Sequence, residues 1–195
     1  MQISGKPLTT VALDFANEGG RLQSYEALLD WNQKADFIGP NGRRNLSAGS
    51  DKAKAAALQE AQALSATLRS LFQAAARDEV LPQKALDHLN SIVQQTAAWR
   101  HIAACTDTAC EGGRKINCGW DFKGAPPAAV LGPIVWRAVE LLETGPLDRV
   151  KECPGEGCGW LFLDTSKNRS RQWCSMQSCG NVSKVRRFRE RTKSA

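Results

Sequence analysis

The sequence predicts an α+β fold: a helix-rich N-terminal domain with a small β-hairpin over residues 1–150, then a compact module over residues 151–195, organised by cysteines and ending in a basic helix. Three observations carry this. Apolar residues recur with a helical period through most of the first 145 positions. Residues 100–122 break that period around Gly112 and Gly113. Four of the seven cysteines fall between positions 153 and 179, in a stretch rich in glycine and charge.

Taken in order, residues 7–18 (PLTTVALDFANE) alternate enough to read as a short strand or extended segment. Ser24 is placed to N-cap a helix running to about Ile38, with Tyr25, Leu28, Leu29 and Ala35 on its apolar side. Residues 39–50 (GPNGRRNLSAGS) have turn chemistry and read as a mobile surface loop. Ser50 then caps a long alanine-rich helix, Asp51 to Arg77, whose stripe runs Leu58, Ala61, Leu64, Leu68, Leu71, Phe72 and Ala75. Pro82 opens the next helix, burying Ala85, Leu89, Ile92, Val93 and Ala97.

Runs around His101–Cys105 and Arg114–Phe122 flank the paired glycines and read as a hairpin. Pro126 and Pro127 start a helix to about Glu143, with Val130, Ile134, Val135, Ala138, Leu141 and Leu142 inward and a kink expected at Pro133. Gly145-Pro146 ends it, and Leu147–Glu152 links to the cysteines.

Composition narrows the function. A hydrophobic content of 42% supports a real core. No run approaches the roughly 18 apolar residues of a membrane span. The first twenty residues carry Asp14 and Glu18 and lack the apolar centre of a secretory signal, so the expectation is a soluble cytoplasmic protein. Charge is uneven: from Arg149 onward there are eleven Lys/Arg against four Asp/Glu, whereas residues 1–148 are one charge negative. Such asymmetry points the basic part toward a polyanion, most simply nucleic acid.

Seven cysteines cannot all pair, and in a reducing compartment clustered thiols more often hold metal. Cys153, Cys158, Cys174 and Cys179 have the spacing C-x4-C-x15-C-x4-C, two pairs able to sit on two turns. A tetrahedral zinc ion takes four thiolates, and Gly155, Gly157 and Gly159 allow the tight turn that aims the first pair. Four protein ligands leave no open position, so the expected cofactor is one structural Zn2+. Reduced thiols packed as small hydrophobes, or two disulfides, are the bland alternatives. Cys105, Cys110 and Cys118, with His101 nearby, are irregularly spaced and read as ordinary thiols rather than a second site. His88 has no evident partner and reads as solvated or at the edge of the core.

The run Cys153–Arg191 resembles the CGNR zinc finger found in stress-induced bacterial transcription regulators. The shared stretch comprises Phe162, Asp164, Ser166 and Asn168, then Trp173, Cys174, Ser175, Met176, Cys179, Gly180 and Asn181, then a basic helix. Leu13 to Glu18 (LDFANE) is similar to the segment opening the partner domain of that family, so the resemblance spans the chain. It implies a zinc-bound finger that touches double-stranded DNA and a preceding domain of unsettled role; by analogy with regulators that need an input, that domain is a candidate to bind a small-molecule effector. Val182 stands where the naming arginine is expected and Gln172 where another arginine is expected, which removes part of the implied grip.

In the helix after Cys179, Val182, Val185 and Phe188 recur every three residues and should pack on the finger or the body. Lys184, Arg187 and Arg191 form a positive stripe, extended by Arg186, Arg189 and Lys193 and flanked by Arg169 and Arg171. A basic helix fits the major groove, with mostly phosphate contacts. RNA or protein as the partner, or an enzyme site in the body with the finger for docking, are the rival classes. For an enzyme, the chain shows no phosphate loop, no Ser-His-Asp pattern and no convergent set of titratable residues, so no activity is expected. Asp14, Asn17 and Glu18 could line a polar site, but Asp14 and Asn17 read better as caps of local turns. Trp31, Trp99, Trp120 and Trp136 read as core rather than a ligand cage. The oligomeric state is not set by any of these features.

Overall fold

The computed structural model describes residues 2–3, 6–7, 10–104 and 116–193. Two short strands, β1 (Gln2–Ile3) and β2 (Lys6–Pro7), pair antiparallel. The segment expected to be extended instead forms helix α1, Val11–Glu18. Val11, Ala12, Leu13, Phe15 and Ala16 are all buried, because α1 is enclosed by other elements on several sides. Only Asp14 and Glu18 keep contact with solvent, and eight residues, little more than two turns, are too few to set a helical period apart from an alternating one.

Helix α2 (Tyr25–Lys34) starts at Ser24, whose hydroxyl accepts from the Ala27 N–H at 3.1 Å. Residues 40–47 form helix α3 (Pro40–Ser47), not the expected mobile loop. Proline in the first turn gives up no helical hydrogen bond. Tertiary contacts supply what propensity lacks. Leu46 is fully buried, and the buried Tyr25 hydroxyl reaches the carbonyls of Pro127 at 3.1 Å and Leu46 at 3.3 Å. Arg43 pairs with Glu26 at 2.8 Å and Asp30 at 2.6 Å, tying α3 to α2.

Helix α4 (Asp51–Ala76) is capped by Ser50, as expected, and runs through the centre against α1, α2 and helix α5 (Gln83–Ala97). Its buried stripe is Ala57, Ala61, Leu64, Ser65, Leu68, Leu71, Phe72 and Ala74, so the ends differ by one position from the sequence reading. In α5 the buried residue of the last turn is Thr96 rather than Ala97, its hydroxyl returned to the Ile92 carbonyl at 2.8 Å. The buried Ser65 hydroxyl donates to the Phe15 carbonyl at 3.1 Å and accepts from the Gly20 N–H at 3.0 Å, so α4 holds the end of α1. Each fully buried leucine or phenylalanine here contributes about 1.5–3 kcal/mol.

The hairpin is present: β3 (Arg100–Ala104) pairs antiparallel with β4 (Ile116–Trp120), Ile102 opposite Cys118. Arg100 lies over the Trp136 ring at 4.4 Å and near Trp120 at 5.8 Å. Trp31 meets Phe15 edge-on at 4.9 Å, and Trp31, Trp99 and Trp120 pack on the core. Pro127 begins a 3-10 turn, Pro127–Leu131, and helix α6 (Gly132–Glu143) follows. Pro133 therefore sits in the first turn of α6 and produces no kink, because no hydrogen bond is lost there.

Strands β5 (Val150–Glu152) and β6 (Leu161–Leu163) form an antiparallel pair, Lys151 opposite Phe162. Val150, Leu161 and Leu163 belong to the same apolar cluster as α1, α4 and α6. No helix among the described residues is long and apolar enough to cross a membrane.

Candidate metal centre

Strand β5 delivers Cys153 directly into a turn, where the Cys158 N–H donates to the Gly155 carbonyl at 2.9 Å and the Cys153 N–H to Trp160 at 2.9 Å. Gly157 and Gly159 take positive φ of 68° and 56°, a conformation that a Cβ disfavours. Gly155 serves differently: a Cβ there would lie 3.1 Å from Cys179 Sγ and 3.2 Å from its Cβ. The absent side chain lets the two cysteine turns close tightly, since a Cβ would force Cys179 to shift by a few tenths of an ångström.

The second turn is set by the loop after β6. Asp164 is fully buried, and its carboxylate accepts from four donors: Ser166 N–H at 2.9 Å, Ser166 Oγ at 2.6 Å, Arg171 N–H at 3.0 Å and Lys151 Nζ at 2.6 Å. Lys151, and then the Ser166 hydroxyl, hold the Asp164 carboxyl well below the usual carboxylate range. Lys151 also donates to the Arg169 carbonyl at 2.6 Å and the Arg171 carbonyl at 3.1 Å. The Arg171 guanidinium lies 4.7 Å over the Phe162 ring and donates to the carbonyls of Trp173, at 3.0 Å, and Cys174. Through this network Phe162, Asp164 and Ser166 fold the strap between the two cysteine pairs. Ser175 then caps a wide turn, Met176–Gly180, that carries Cys179 and leads into helix α7 (Asn181–Lys193).

The four sulfurs converge, all within 4.8 Å of one another, with Cys158–Cys174 at 3.6 Å and Cys174–Cys179 at 3.7 Å. A tetrahedron with zinc–sulfur bonds of about 2.3 Å has sulfur–sulfur edges of about 3.8 Å, so the donor set fits one Zn2+ in kind and in spacing. Burial opposes charge on Cys153, but hydrogen bonds from the backbone of Cys174 and Gly155 and from the neighbouring thiols hold its thiol below the ordinary value. Burial, then crowding by Cys153, Cys158 and Cys179, pushes the Cys174 thiol up. The thiols cannot all ionise together unless a cation is present to offset them. A zinc ion bound by all four would supply structural cross-linking, with no open coordination position.

Residues 149–192 match the family model of the CGNR zinc finger, and residues 9–145 match that of ABATE, described as "Putative stress-induced transcription regulator". The chain belongs to the ABATE family. In this ABATE chain the two matched segments follow each other, and no curated protein matches it.

The other residues singled out in the sequence have varied surroundings. Arg169 pairs with Asp148 at 2.5 Å, and Arg186 pairs with Glu156 in the first cysteine turn. Lys184 and Arg189 are exposed on α7, whereas the side chains of Arg187, Phe188, Arg191 and Lys193 lie outside the described residues. Val182 and Val185 are 67% and 50% exposed, which overturns the expectation that they pack on the finger or body. The reason is that α7 packs chiefly on the turn Met176–Gly180 that launches it. Cys118 is exposed on β4, and Cys105 and Cys110 lie outside the described residues. His88 does have partners: its ring nitrogens meet Thr67 Oγ1 at 2.6 Å and Glu60 Oε1 at 2.8 Å, across α4 and α5.

Asn17 caps no local turn. Its side chain exchanges two hydrogen bonds with the backbone of Leu161 in β6. Glu18 accepts from the Trp31 indole N–H at 3.1 Å. Arg69 of α4 donates to the Gly159 carbonyl at 2.7 Å, and Glu152 accepts from Gln73 at 2.7 Å and Arg77 at 2.9 Å. Burial opposes the Glu152 charge, yet these donors hold its carboxyl below the ordinary value. The ties of α1 and α4 to residues 152–161 show in no local pattern, because each spans 75 positions or more.

Proposed function

We propose that this protein is a DNA-binding transcription regulator in which residues 151–195 form a zinc finger and residues 1–150 the regulatory part. Cys153, Cys158, Cys174 and Cys179 hold the structural Zn2+. Lys184, Arg186, Arg187, Arg189, Arg191 and Lys193 of α7, and Arg169 of the strap, meet the phosphates of double-stranded DNA, Arg186 and Arg169 exchanging their partners Glu156 and Asp148 for phosphate. One observation supports this above the rest: α7 begins two residues after Cys179, so the cluster that gathers four thiols also fixes the start of a strongly basic helix. A fixed helix presents its charges together, whereas a loose tail must first be ordered. Arg171 has a different part here, holding the carbonyls of Trp173 and Cys174.

A small-molecule effector belongs to the regulatory half of the reading. A shallow cleft lined by Arg77, Lys151, Arg171 and Trp173 lies where α4 meets the first cysteine turn, a place from which a bound molecule would reach the metal site. Its three cations are already engaged with Glu152, Asp164 and main-chain carbonyls, so the cleft selects for shape more than for anionic charge.

The test is fluorescence titration of zinc-loaded protein with duplex DNA across a salt series. The expected result is a logarithmic slope of about −0.9 per neutralised phosphate, with affinity lost in Cys174→Ser. Absence of affinity for any duplex at low salt, or binding unchanged in Cys174→Ser, overturns the proposal. Genomic footprinting with the same pair would show promoter enrichment that disappears in the variant.

A further inference from the structure

We infer that Val182 and Val185 are the base-reading residues of α7, meeting the 5-methyl groups of thymine in the major groove; this rests on the DNA-binding reading above. On a helix, positions 182, 185, 186 and 189 follow the spacing i, i+3, i+4 and i+7, so the two valines share one face with Arg186 and Arg189. That face differs from the sequence expectation, which placed the valines inward and grouped these two arginines with Lys184. Both valines stand in solvent, and Met176 at the foot of the helix is 51% exposed as well. An apolar pair with guanidinium groups within one turn is an unusual surface, and it selects its occupant.

The major groove offers the complement: apolar methyl groups of thymine, flanked on both sides by phosphates. Arg189 is exposed on this face and suits a flanking phosphate. In the free protein Arg186 pairs with Glu156, which ties the second turn of the helix to the first cysteine turn. A second copy of the chain is a poor occupant, because a two-fold contact through this face would gather Arg186 and Arg189 of both copies into one small interface. An anionic bilayer is also poor, because two valines and a methionine offer little of the large aromatic and leucine surface that interfacial helices insert.

One lost methyl contact is worth about one buried methylene, or roughly a fourfold change in affinity, so losing two gives on the order of tenfold. The experiment compares two alternating A·T duplexes of equal length, one with thymine and one with deoxyuridine, which lacks only the methyl group. Full-length zinc-loaded protein should bind the thymine duplex on the order of tenfold more tightly. Val182→Ala with Val185→Ala should bind both duplexes alike, near the weaker affinity. Alanine raises helix propensity at exposed sites, so the variant keeps α7, checked by circular dichroism and zinc content. Equal affinity of the native protein for both duplexes, with the steep salt slope intact, overturns the methyl reading and leaves DNA binding standing. Absence of affinity for either duplex overturns both. A thymine preference that survives in the double variant, or concentration-dependent dimerisation abolished by it, also overturns the inference.

Discussion

Asn17 and Leu161 are 144 positions apart and pair as two strands would: Asn17 Nδ2 donates to the Leu161 carbonyl at 2.8 Å, and the Leu161 N–H donates to Asn17 Oδ1 at 2.9 Å. Both groups are buried, so removing the amide leaves a main-chain donor and a carbonyl without partners. Asn17→Ala should lower stability by about 2 kcal/mol, seen as an earlier urea midpoint at unchanged slope. A midpoint equal to that of the native protein would mean that water replaces the amide at no cost.

Zinc content should be about one equivalent per chain in protein prepared without chelators. Gly155→Ala should weaken zinc binding on the order of tenfold, because the new Cβ must push Cys179 off its position. Competition with a chromophoric chelator measures this directly. Native affinity in the variant would show that the second turn can yield.

Asp164 gives stability a particular dependence on pH. Its folded-state pKa is depressed, so the contribution is fully present above the unfolded carboxyl value of about 4 and is lost as pH falls through the lower folded value. The difference in stability between native protein and Asp164→Asn should be largest near neutrality and shrink progressively below pH ~4. Urea titrations of both proteins at several pH values give the comparison; a gap that widens on acidification contradicts it.

Arg171 and Arg189 should separate structure from binding. Arg171→Ala removes donors from the carbonyls of Trp173 and Cys174, so it should cost about 1–3 kcal/mol of stability or weaken zinc binding. Arg189→Ala lies in the open on α7, so stability should stay within about 0.5 kcal/mol while the salt slope for duplex DNA falls by about 0.9. Equal effects of both variants on stability would put Arg189 inside the fold.

The sequence revealed whatever depends on short-range pattern. The caps at Ser24 and Ser50, the long α4 stripe, the hairpin and the cysteine spacing all express a local rule, and the structure follows each. Where neighbours decide, it misled. Helix α1 is only eight residues long and mostly buried, too short for its period to declare itself, and α3 is held by Leu46 and Arg43 contacts that no window of residues displays. Val182 and Val185 have core-like spacing, yet nothing in a linear pattern states that their face of α7 stays in solvent. The four clustered thiols were readable, whereas Asp164 was visible only as part of a motif, because the donors that surround it come from both sides of the strap.

The buried carboxylate of Asp164 has a kinetic consequence for metal capture. By lacing Ser166, Lys151 and Arg171 together, it shortens the fifteen-residue span between the cysteine pairs into a rigid bridge. Chain closure is then already complete when the ion arrives, so the second pair of sulfurs stays within reach if the first lets go, and exchange with competing chelators should be slow even where the equilibrium favours them.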